Sequence, residues 1–497
     1  MFAARVSAID EVRGGRTIHT KATPLLGGVG IGAAIIVGIL IGVWLHVLPS
    51  DGPLFLRLMG FILAILVLLF GGMLDDCYRL PPSLQILFPI CAALLVVATG
   101  TSILEISSLH GPGIWRLDGW RESWQVLGRT FSLVLPADML TLSWLLAVTY
   151  ATKTMDGIDS LVTGHTMVGA GLILLLASSP LFFQPTIVIL AWIIFGAFAG
   201  FLPSNIHPAR QFLGESGSTL AGFALGFLAI VSGAKVATAF MVLGIPLVDF
   251  LLVVFLRLRA RRSPFEGDGS HLHFRFLRLG FSQQQIAGLF WMTSLLFGFI
   301  ALGLQTRGKT ILMTGLICLT LFASFGASTQ KTLSHRWKKR LCAILCVLTC
   351  VIGLWSMTGL WRAHAQETTL KEISIHGHRL WIELADTPAK QTQGLSDRSS
   401  LEPNHGMLFT FPEKAPYTFW MPRMYVDLDI IWLDGDRIVD MVRLPAPKGD
   451  EAIARYTPRA PGDQVLEILA GQAEGYGLHV GDHVPELVRG AINRAYP

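Results

Sequence analysis

Two adjacent carboxylates, Asp75 and Asp76, follow directly after a long apolar stretch, residues 54–74, that could cross a bilayer as a helix. An aspartate beside a membrane span is costly unless it binds a cation, pairs with a positive group or faces water. Because neighbouring carboxylates also repel each other, a divalent metal is one way to stabilise them. A solvated helix terminus is the simpler alternative, and it stays open for this pair taken alone.

Further acidic and histidine-bearing loops follow along the chain. Asp156 and Asp159 are three residues apart, so on a helix they would share a face. Glu215 stands among glycines and serines at the start of an apolar segment, which is a favourable place for phosphate oxygens. His271 and His273 are separated by a single leucine and could be surface residues, metal ligands or donors to an anion. Each loop alone is ambiguous, but their recurrence indicates a shared site.

The chemistry that this set of residues suits is phosphoryl transfer at a membrane face. A phosphate that attacks a diphosphate is repelled by it, so charge dominates the barrier. Carboxylates that hold a divalent metal, helix N-termini and cationic side chains supply the opposing charge. Paired glycines such as Gly27-Gly28 allow close backbone approach to a ligand, although packing against a helix is their commoner use.

The elements that must position these residues are membrane helices. Of the 497 residues, 52% are hydrophobic and only 15% are charged, which is far from an average soluble protein. Apolar runs of about 20 residues recur up to residue 361 and predict eleven spans. These are residues 25–48, 54–74, 84–104, 139–152, 164–180, 183–202, 218–234, 236–256, 284–305, 309–327 and 341–361.

The distribution of positive charge predicts the orientation. With the N-terminus in the cytoplasm, most Lys and Arg of the membrane part fall in inner loops, including the clusters at 257–262 and 338–340. The acidic and histidine-bearing loops lie on the same inner side, and an odd number of spans places the last domain outside. The positive excess is therefore a topology signal and does not indicate nucleic-acid binding.

The last part of the chain has a different composition. Residues 362–497 hold 14 Lys and Arg against 19 Asp and Glu, and they contain none of the six cysteines. Short alternating segments separated by Pro, Gly and Asp predict strands. The predicted fold is a polytopic α-helical membrane protein of about eleven spans with a C-terminal β-rich extracytoplasmic domain. We divide it into a membrane domain 1–327, an inner loop, extra helix and linker 328–365, and the β-rich domain 366–497.

Residues about 10–325 resemble the polyprenyl-phosphate N-acetylhexosamine-1-phosphate transferases, membrane enzymes that move a sugar 1-phosphate from a UDP-sugar to a lipid phosphate. The motifs that carry the resemblance are His19 with Pro24-Leu25-Leu26-Gly27-Gly28, Leu74-Asp75-Asp76, Asp156-Gly157-Ile158-Asp159-Ser160-Leu161, residues 208–218, Ser263-Pro264-Phe265 and His271-Leu272-His273. Their order and sidedness match as well. The His-Leu-His form is closer to enzymes that begin surface-polysaccharide chains than to the peptidoglycan branch.

The resemblance implies roles for the residues that match. Asp75 and Asp76 would serve the metal and the lipid phosphate, Asp156 and Asp159 would help hold the nucleotide, and the two histidines would contact the sugar phosphate. The residues expected to be catalytic are Asp75, Asp76, Asp156, His271 and His273. The residues expected to bind substrate are His19, Lys21, Lys153, Asp159, Asn205 and Arg262. The residues expected to bind Mg²⁺, with Mn²⁺ as the alternative, are Asp75, Asp76 and Glu215.

Three features depart from the family pattern. Glu215 stands where the family has an aspartate that ligates the metal, and Lys153 stands where it has an asparagine. A cation at position 153 could contact phosphate or compete with the metal. The family also has a membrane span before the His19 region that is missing here, which a misassigned or truncated start would explain.

The C-terminal domain resembles the small secreted domain of unknown function number 192. The residues that carry this resemblance are Gln393-Gly394-Leu395, Gly406-Met407-Leu408-Phe409, Phe419-Trp420-Met421, Asp427-Leu428-Asp429-Ile430 and Gly481-Asp482. The aromatic group around Trp420 could line a ligand groove or belong to the core. Asp427 and Asp429 could bind a cation or be solvated.

The expected function is transfer of a sugar 1-phosphate, such as N-acetylhexosamine 1-phosphate, from a UDP-sugar to undecaprenyl or another polyprenyl phosphate. This step releases UMP and begins a cell-envelope polysaccharide. The alternatives are a catalytically impaired scaffold that displays the external domain, which Lys153 and Glu215 favour, and a transporter. The expected partners are the UDP-sugar, the lipid phosphate and the membrane, with a homodimer left open. The expected location is the bacterial inner (plasma) membrane, with the N-terminus cytoplasmic and the last domain periplasmic.

Overall fold

The computed structural model describes residues 9–10, 23–107, 114–126, 129–179, 184–232, 236–263, 269–302, 306–329, 347, 351, 370–386, 390–391, 394–396, 400–421, 424–447 and 455–487. Two of the expected substrate-binding residues, His19 and Lys21, and most of the predicted span 341–361 lie outside the described residues. The chain divides into two compact units, Met1–Trp361 and Arg362–Pro497.

The first unit is built from helices. They are α1 Gly27–Trp44, α2 Gly52–Tyr78, α3 Pro82–Gln85, α4 Leu87–Ala98, α5 Ala137–Met155, α6 Leu161–Ser178, α7 Pro185–Asn205, α8 Gly214–Val231, α9 Val236–Arg259, α10 Leu272–Arg278, α11 Gln283–Leu302 and α12 Thr306–Thr329. Each of the first ten predicted spans overlaps one of these helices. Residues 84–104 form a shorter helix than predicted, because α4 ends at Ala98 before Gly100 takes a positive φ of 83°.

Six of the described helices are long and apolar enough to cross a membrane, namely α1, α2, α6, α7, α8 and α11. Their burial separates central helices from peripheral ones. Of α8, 89% is buried within the protein, whereas only 28% of the corresponding stretch of α7 is buried. The peripheral helix α2 buries Leu58, Ile65 and Leu68 on one face and exposes Leu63 and Leu66 on another. An apolar exposed face of this kind suits contact with lipid chains.

Glycines allow α1 and α2 to approach the start of α8 at backbone distance. A Cβ added to Gly28 would lie 2.1 Å from the Gly217 nitrogen, and one added to Gly72 would lie 2.2 Å from the Ser216 Cα. Gly214, the first residue of α8, has a φ of 74° that other residues rarely adopt. The Gly27-Gly28 pair therefore packs against a helix, which was the commoner of its two predicted uses.

Short β-hairpins lie between α4 and α5, in a segment outside the predicted spans. Strands β3 Glu105–Ser107 and β4 Ile114–Arg116 pair with each other, as do β5 Trp120–Val126 and β6 Arg129–Leu135. Near the N-terminus, β1 Ile9–Asp10 pairs with β2 Thr23–Pro24.

The second unit contains a six-stranded sheet, and the prediction of a β-rich C-terminal domain is confirmed. Its strands are β7 Lys371–Ile375, β8 His378–Ala385, β9 His405–Ala415, β11 Leu428–Asp434, β12 Arg437–Leu444 and β14 Gly462–Leu469, in the order β12-β11-β14-β9-β8-β7. Only the β8–β9 pair is parallel. Two short strands, β10 Phe419–Trp420 and β13 Arg455–Tyr456, pair separately, and α13 Gln472–Gly475 follows the last strand.

The aromatic group in this unit is divided between core and surface. Met421 is fully buried, and Phe419 packs edge-on against Trp432 with ring centroids 5.8 Å apart. Trp420 is 41% exposed, and the Arg455 guanidinium lies 5.0 Å from the centroid of its ring. This distribution favours core packing for two of the three residues.

Asp429, in β11, and Asp427, just before it, accept hydrogen bonds from other segments of the second unit. Asp429 accepts a hydrogen bond from Arg443 Nε at 2.7 Å and one from the Gly471 amide at 2.7 Å. Asp427 accepts one from the Ala446 amide at 2.8 Å. These contacts favour a structural role over cation binding.

Candidate active site

Helix ends that are distant in sequence meet at one end of the membrane unit. The end of α2 carries Asp75 and Asp76, the end of α5 carries Lys153, and the start of α8 carries Glu215. The Glu215 amide donates a hydrogen bond to Asp76 Oδ1 at 2.9 Å, and the Lys153 ammonium forms an ion pair with Glu215 Oε1. Predicted site residues from the ends of three helices that are distant in sequence thus lie in contact.

Lys153 is fixed by acceptors on two different elements. Besides Glu215, its Nζ donates to Gln85 Oε1 at 2.8 Å, and it lies 5.6 Å from the centroid of the Tyr150 ring. The side chains of Lys153 and Glu215 are 19% and 18% exposed. Because both charges are largely withdrawn from water, the pair is screened much less than a surface ion pair.

Asp75 is engaged by its own neighbourhood. Its Oδ1 accepts hydrogen bonds from the Leu80 amide at 2.7 Å and from Gln85 Nε2 at 2.9 Å. Gln85 also donates to the Leu80 carbonyl at 2.8 Å. The Gln85 amide therefore connects Asp75 to Lys153, with its nitrogen toward the carboxylate and its oxygen toward the ammonium.

Asp76 is the carboxylate with a free buried oxygen. Its Oδ2 is buried and has no hydrogen-bond partner within the described part of the chain. A Cβ added to Gly214 would lie 2.7 Å from this oxygen, so only glycine leaves room beside it. A buried polar atom without a partner is costly unless a ligand or an ion satisfies it.

Asp156 follows α5 directly, and its surroundings shift the pKa of its carboxyl group. Burial, followed by the negative charges of Glu215, Asp76 and Asp159, raises its pKa from 3.8 to about 8. In the absence of a cation the site therefore disfavours a further negative charge. A bound divalent cation would reverse this effect, because it stabilises the ionised carboxylate.

Asp159 and Asn205 hold loops beside the carboxylates. Asp159 Oδ2 lies 2.7 Å from His207 Nδ1 and accepts a hydrogen bond from the Ala209 amide at 3.1 Å. Asn205 Oδ1 accepts from the Ser160 amide at 3.1 Å and from Thr163 Oγ1 at 2.7 Å. Both side chains connect the loop before α6 to the end of α7, which is a positioning role in this structure.

The two histidines of the predicted motif lie beside the Asp156 loop. His271 Nδ1 lies 2.9 Å from Asp249 Oδ2, and the rings of His271 and His273 stack at 5.9 Å. A Cβ added to Gly157 would lie 2.7 Å from His273 Nε2. Burial, followed by the charge of His271, lowers the pKa of His273 to about 3. His273 is therefore neutral at physiological pH and adds no positive charge to the site.

Arg262 lies exposed after the end of α9, and its amide donates to the Arg257 carbonyl at 2.9 Å. The structure gives it no described contact with the carboxylates. A phosphate would have to reach this side chain from solvent.

A cleft runs from these polar groups into the apolar part of the bundle. Its empty volume of about 230 Å³ includes open solvent, and its enclosed volume of about 10 Å³ has room for about one water molecule. Its polar lining is Asp75, Gln85, Glu215 and Thr219, and its apolar lining is Leu68, Gly71, Gly72, Phe88 and Pro89. A ligand with a charged head and an apolar tail would match this division.

Sequence reasoning missed two functional residues of this region. Asp249 orients His271, and Gln85 joins Asp75 to Lys153. A signal existed for Asp249, because an acidic residue inside an apolar span marks a functional site by default. Gln85 offered no such signal, since a single glutamine after Pro81-Pro82 is unremarkable in sequence.

The donor set fits a divalent cation in part. Asp76 Oδ2 is available, and carboxylate oxygens are the donors that Mg²⁺ prefers. Of the other two expected ligands, Asp75 is occupied by Gln85 and Glu215 by Lys153. Over the described ranges, no group of three or more His, Cys, Asp or Glu side chains has a metal-binding arrangement.

Comparison with known proteins identifies two domains. Residues 58–233 match the model of glycosyl transferase family 4. Residues 371–485 match DUF192, described as an uncharacterized family. Both matches agree with the predicted resemblances: the first part of the chain is similar to glycosyl transferase family 4, and the last part is similar to DUF192.

Similar curated proteins are polyprenyl-phosphate transferases by name. The "Probable undecaprenyl-phosphate N-acetylglucosaminyl 1-phosphate transferase" of Bacillus subtilis is 24% identical over 68% of this chain and 88% of its own length. The decaprenyl-phosphate N-acetylglucosaminephosphotransferase of Mycobacterium leprae is 27% identical over 65% of this chain and 84% of its own. A solved protein of unknown function from Novosphingobium aromaticivorans is 33% identical over 23% of this chain and 81% of its own, with a TM-score of 0.20.

Proposed function

We propose that this protein transfers N-acetylhexosamine 1-phosphate from a UDP-sugar to a polyprenyl phosphate and releases UMP. The observation that carries the proposal is the meeting of Asp76, Lys153 and Glu215 at one end of a glycosyl transferase family 4 domain. The names of the similar proteins support the same reaction. The product would be the lipid-linked first sugar of a cell-envelope polysaccharide.

The reaction forms one phosphorus–oxygen bond and breaks another. An oxygen of the lipid phosphate attacks the β-phosphorus of the UDP-sugar, the bond to the bridging oxygen breaks, and UMP leaves with that oxygen. Charge accumulates where two phosphate groups approach, so positioned positive groups and amide dipoles lower the barrier. Lys153 is one such positive group, and it is held at the start of α8 by the Glu215 side chain.

The histidines would act on the sugar phosphate as hydrogen-bonding groups. Asp249 accepts a hydrogen bond from the Leu272 backbone amide at 3.1 Å, and its other oxygen faces His271 Nδ1. Asp249 therefore fixes both the loop and the imidazole ring. An ionised carboxylate can only accept, so this contact requires Nδ1–H. His271 Nε2 then accepts from a substrate hydroxyl when the ring is neutral and donates to a phosphate oxygen when the ring is protonated. His273 remains neutral and supplies a donor or acceptor without adding charge.

We propose that Mg²⁺, with Mn²⁺ as the alternative, is held by Asp76 and Asp156. Asp76 supports this assignment with a buried oxygen that has no hydrogen-bond partner among the described residues, and Asp156 with its burial beside the charges of Glu215 and Asp76, which together raise its pKa. Bound there, the ion would supply countercharge to the diphosphate.

We further propose that the chain crosses a bacterial plasma membrane eleven times, with the site on the cytoplasmic side and the β-rich domain outside. The positive charges after α9 and α12 support this orientation. UDP-sugars are cytoplasmic metabolites, which agrees with a site on that side.

The test is turnover by the purified full chain in detergent with radiolabelled UDP-N-acetylhexosamines, undecaprenyl phosphate and Mg²⁺. We expect UMP release together with a labelled lipid product. Asp76→Asn should lower turnover by about 10²–10³-fold, because one charge-stabilising group is lost. Glu122→Gln, which alters an exposed strand residue, is the control and should retain turnover. Failure to form product with any UDP-N-acetylhexosamine would refute the proposed function.

A further inference from the structure

Lys153 lies beside the cleft and contacts two of its lining residues, Glu215 and Gln85, so its contacts are unusual for a substrate-binding residue. Lys153 pairs with Glu215 and donates to Gln85, whose own amide nitrogen donates to Asp75. An ammonium group has three N–H donors, and two of them are assigned by these contacts. The lysine is therefore held in place before any phosphate or metal arrives.

Glu215 is held from both ends. Its backbone amide donates to Asp76 Oδ1, and its side-chain oxygen receives the Lys153 ammonium. Glu215 Oε1 can ligate a metal only by giving up the Lys153 ammonium, and a metal on its other oxygen would lie close to that positive charge. Breaking a largely buried pair leaves an uncompensated charge, which costs more than the pair contributes.

The two carboxylates of the α2–α8 junction therefore differ in availability. Asp76 Oδ2 is buried without a hydrogen-bond partner among the described residues, whereas Glu215 already has a cationic partner. A divalent ion that enters this region is attracted by Asp76 and repelled by the ammonium of Lys153.

We propose that Lys153 is a resident cation of this site and that it withdraws Glu215 from metal coordination. Glu215 then serves to hold Lys153 beside the reacting phosphates, and the divalent ion is left to Asp76 Oδ2. This inference rests on the proposed function for the identity of the phosphates. Its claim about metal binding requires no substrate and can be tested separately.

The experiment is a titration of the purified full chain in detergent with Mn²⁺ alone, followed by electron paramagnetic resonance of the free ion. Lys153→Met should tighten Mn²⁺ binding by about tenfold or more, because it removes a positive charge and frees a carboxylate. If the wild type binds too weakly to measure, the appearance of binding in Lys153→Met is the same result. Lys153→Arg keeps the charge and should bind Mn²⁺ like the wild type.

A Glu215 variant distinguishes two roles for this residue, namely metal ligand and ion-pair partner of Lys153. Glu215→Gln removes a negative charge but no metal ligand, so it should weaken Mn²⁺ binding by no more than about tenfold, whereas Asp76→Asn removes a ligand and should weaken binding beyond measurement. Monodisperse elution of each variant checks that it is folded. The inference is overturned if Glu215→Gln weakens Mn²⁺ binding as Asp76→Asn does, or if Lys153→Met leaves it unchanged.

These outcomes are independent of the transferase reaction. Tighter Mn²⁺ binding in Lys153→Met without turnover of any UDP-N-acetylhexosamine would refute the proposed function and keep the inference. Turnover in the wild type with unchanged Mn²⁺ binding in Lys153→Met would support the proposed function and refute the inference.

Discussion

At the scale of single residues, the site consists of charged groups whose partners come from other helices. Asp75 and Asp76 could be selected from the sequence because adjacent carboxylates after an apolar run are rare. The different environments of the two carboxylates could not be predicted. Asp75 accepts a hydrogen bond from Gln85, whereas Asp76 has a buried oxygen without a partner among the described residues. Sequence spacing identifies a candidate residue, but it does not identify the residue from a distant loop that contacts it.

The contact between Asp249 and His271 predicts a measurable positioning effect. Asp249→Asn presents an amide to His271 Nδ1, so the ring loses the acceptor that fixes its tautomer. We expect kcat to fall by about 10²-fold, as is typical when a group acting in proton or hydrogen-bond transfer is misaligned, while KM changes much less.

Two comparison variants make this prediction specific. Asp249→Glu retains a carboxylate and should recover part of kcat, whereas Leu251→Ala alters an exposed residue of the same helix and should be neutral. Equal losses in kcat and in thermal stability for Asp249→Asn, without recovery by Asp249→Glu, would indicate a purely structural contact.

The raised pKa of Asp156 predicts a dependence of stability on pH. Between the ordinary value of 3.8 and about 8, the folded chain holds a proton on Asp156 that the unfolded chain has released. Stability therefore falls as pH rises through this window and levels off above it. In EDTA, the apparent melting temperature should decline from about pH 5 to pH 8. Asp156→Asn should have a shallower slope, and an unchanged slope would contradict the assignment.

At the scale of elements, most helices follow from apolar periodicity and length. The ends were less predictable, because α4 stops early at Gly100 and α5 begins at Ala137 after two hairpins that carry no membrane signal. The inner loops could be assigned to one side by charge, but their contacts depend on α8. That helix is central because α1, α2 and α5 all pack against it.

The junction of α1 with α8 predicts a sharp difference between two glycines of one helix. A methyl group at Gly28 would lie 2.1 Å from the Gly217 backbone nitrogen, whereas one at Gly30 meets nothing within 4 Å. Gly28→Ala must push two helix backbones apart, at a cost of about 1–3 kcal/mol or more, and it should displace Glu215 with α8.

Thermal unfolding and turnover of the two variants should therefore diverge. Gly30→Ala is expected to match the wild type in both measurements, since it adds a methyl group to an exposed position. Gly28→Ala is expected to lower the apparent melting temperature and turnover together. Similar behaviour of the two variants would show that the approach of α1 to α8 is looser than the structure indicates.

At the scale of the whole molecule, a membrane unit that carries the candidate site is joined to a β-rich unit of separate composition. The sequence located both, because hydropathy and charge change together near residue 361. The sheet order could not be read from the chain, since β8 and β9 pair in parallel across a long connection while their neighbours are antiparallel. Strand alternation indicates which residues are buried, but it does not select the partner strand.

The orientation of the two units across the membrane is the last prediction. Helix α12 ends at Thr329 and is followed by Lys338, Lys339 and Arg340, and then by the apolar residues 341–361. Positive residues are retained in the cytoplasm, so this apolar segment should lead outward. Green fluorescent protein fused after Arg340 should fluoresce, and alkaline phosphatase fused at Pro497 should be active, with the reverse fusions silent. The same reporters fused after Arg262 are the internal control and should report cytoplasm. If the fusions at 340 and 497 report the same side, residues 341–361 do not span and the β-rich unit shares the compartment of the active site.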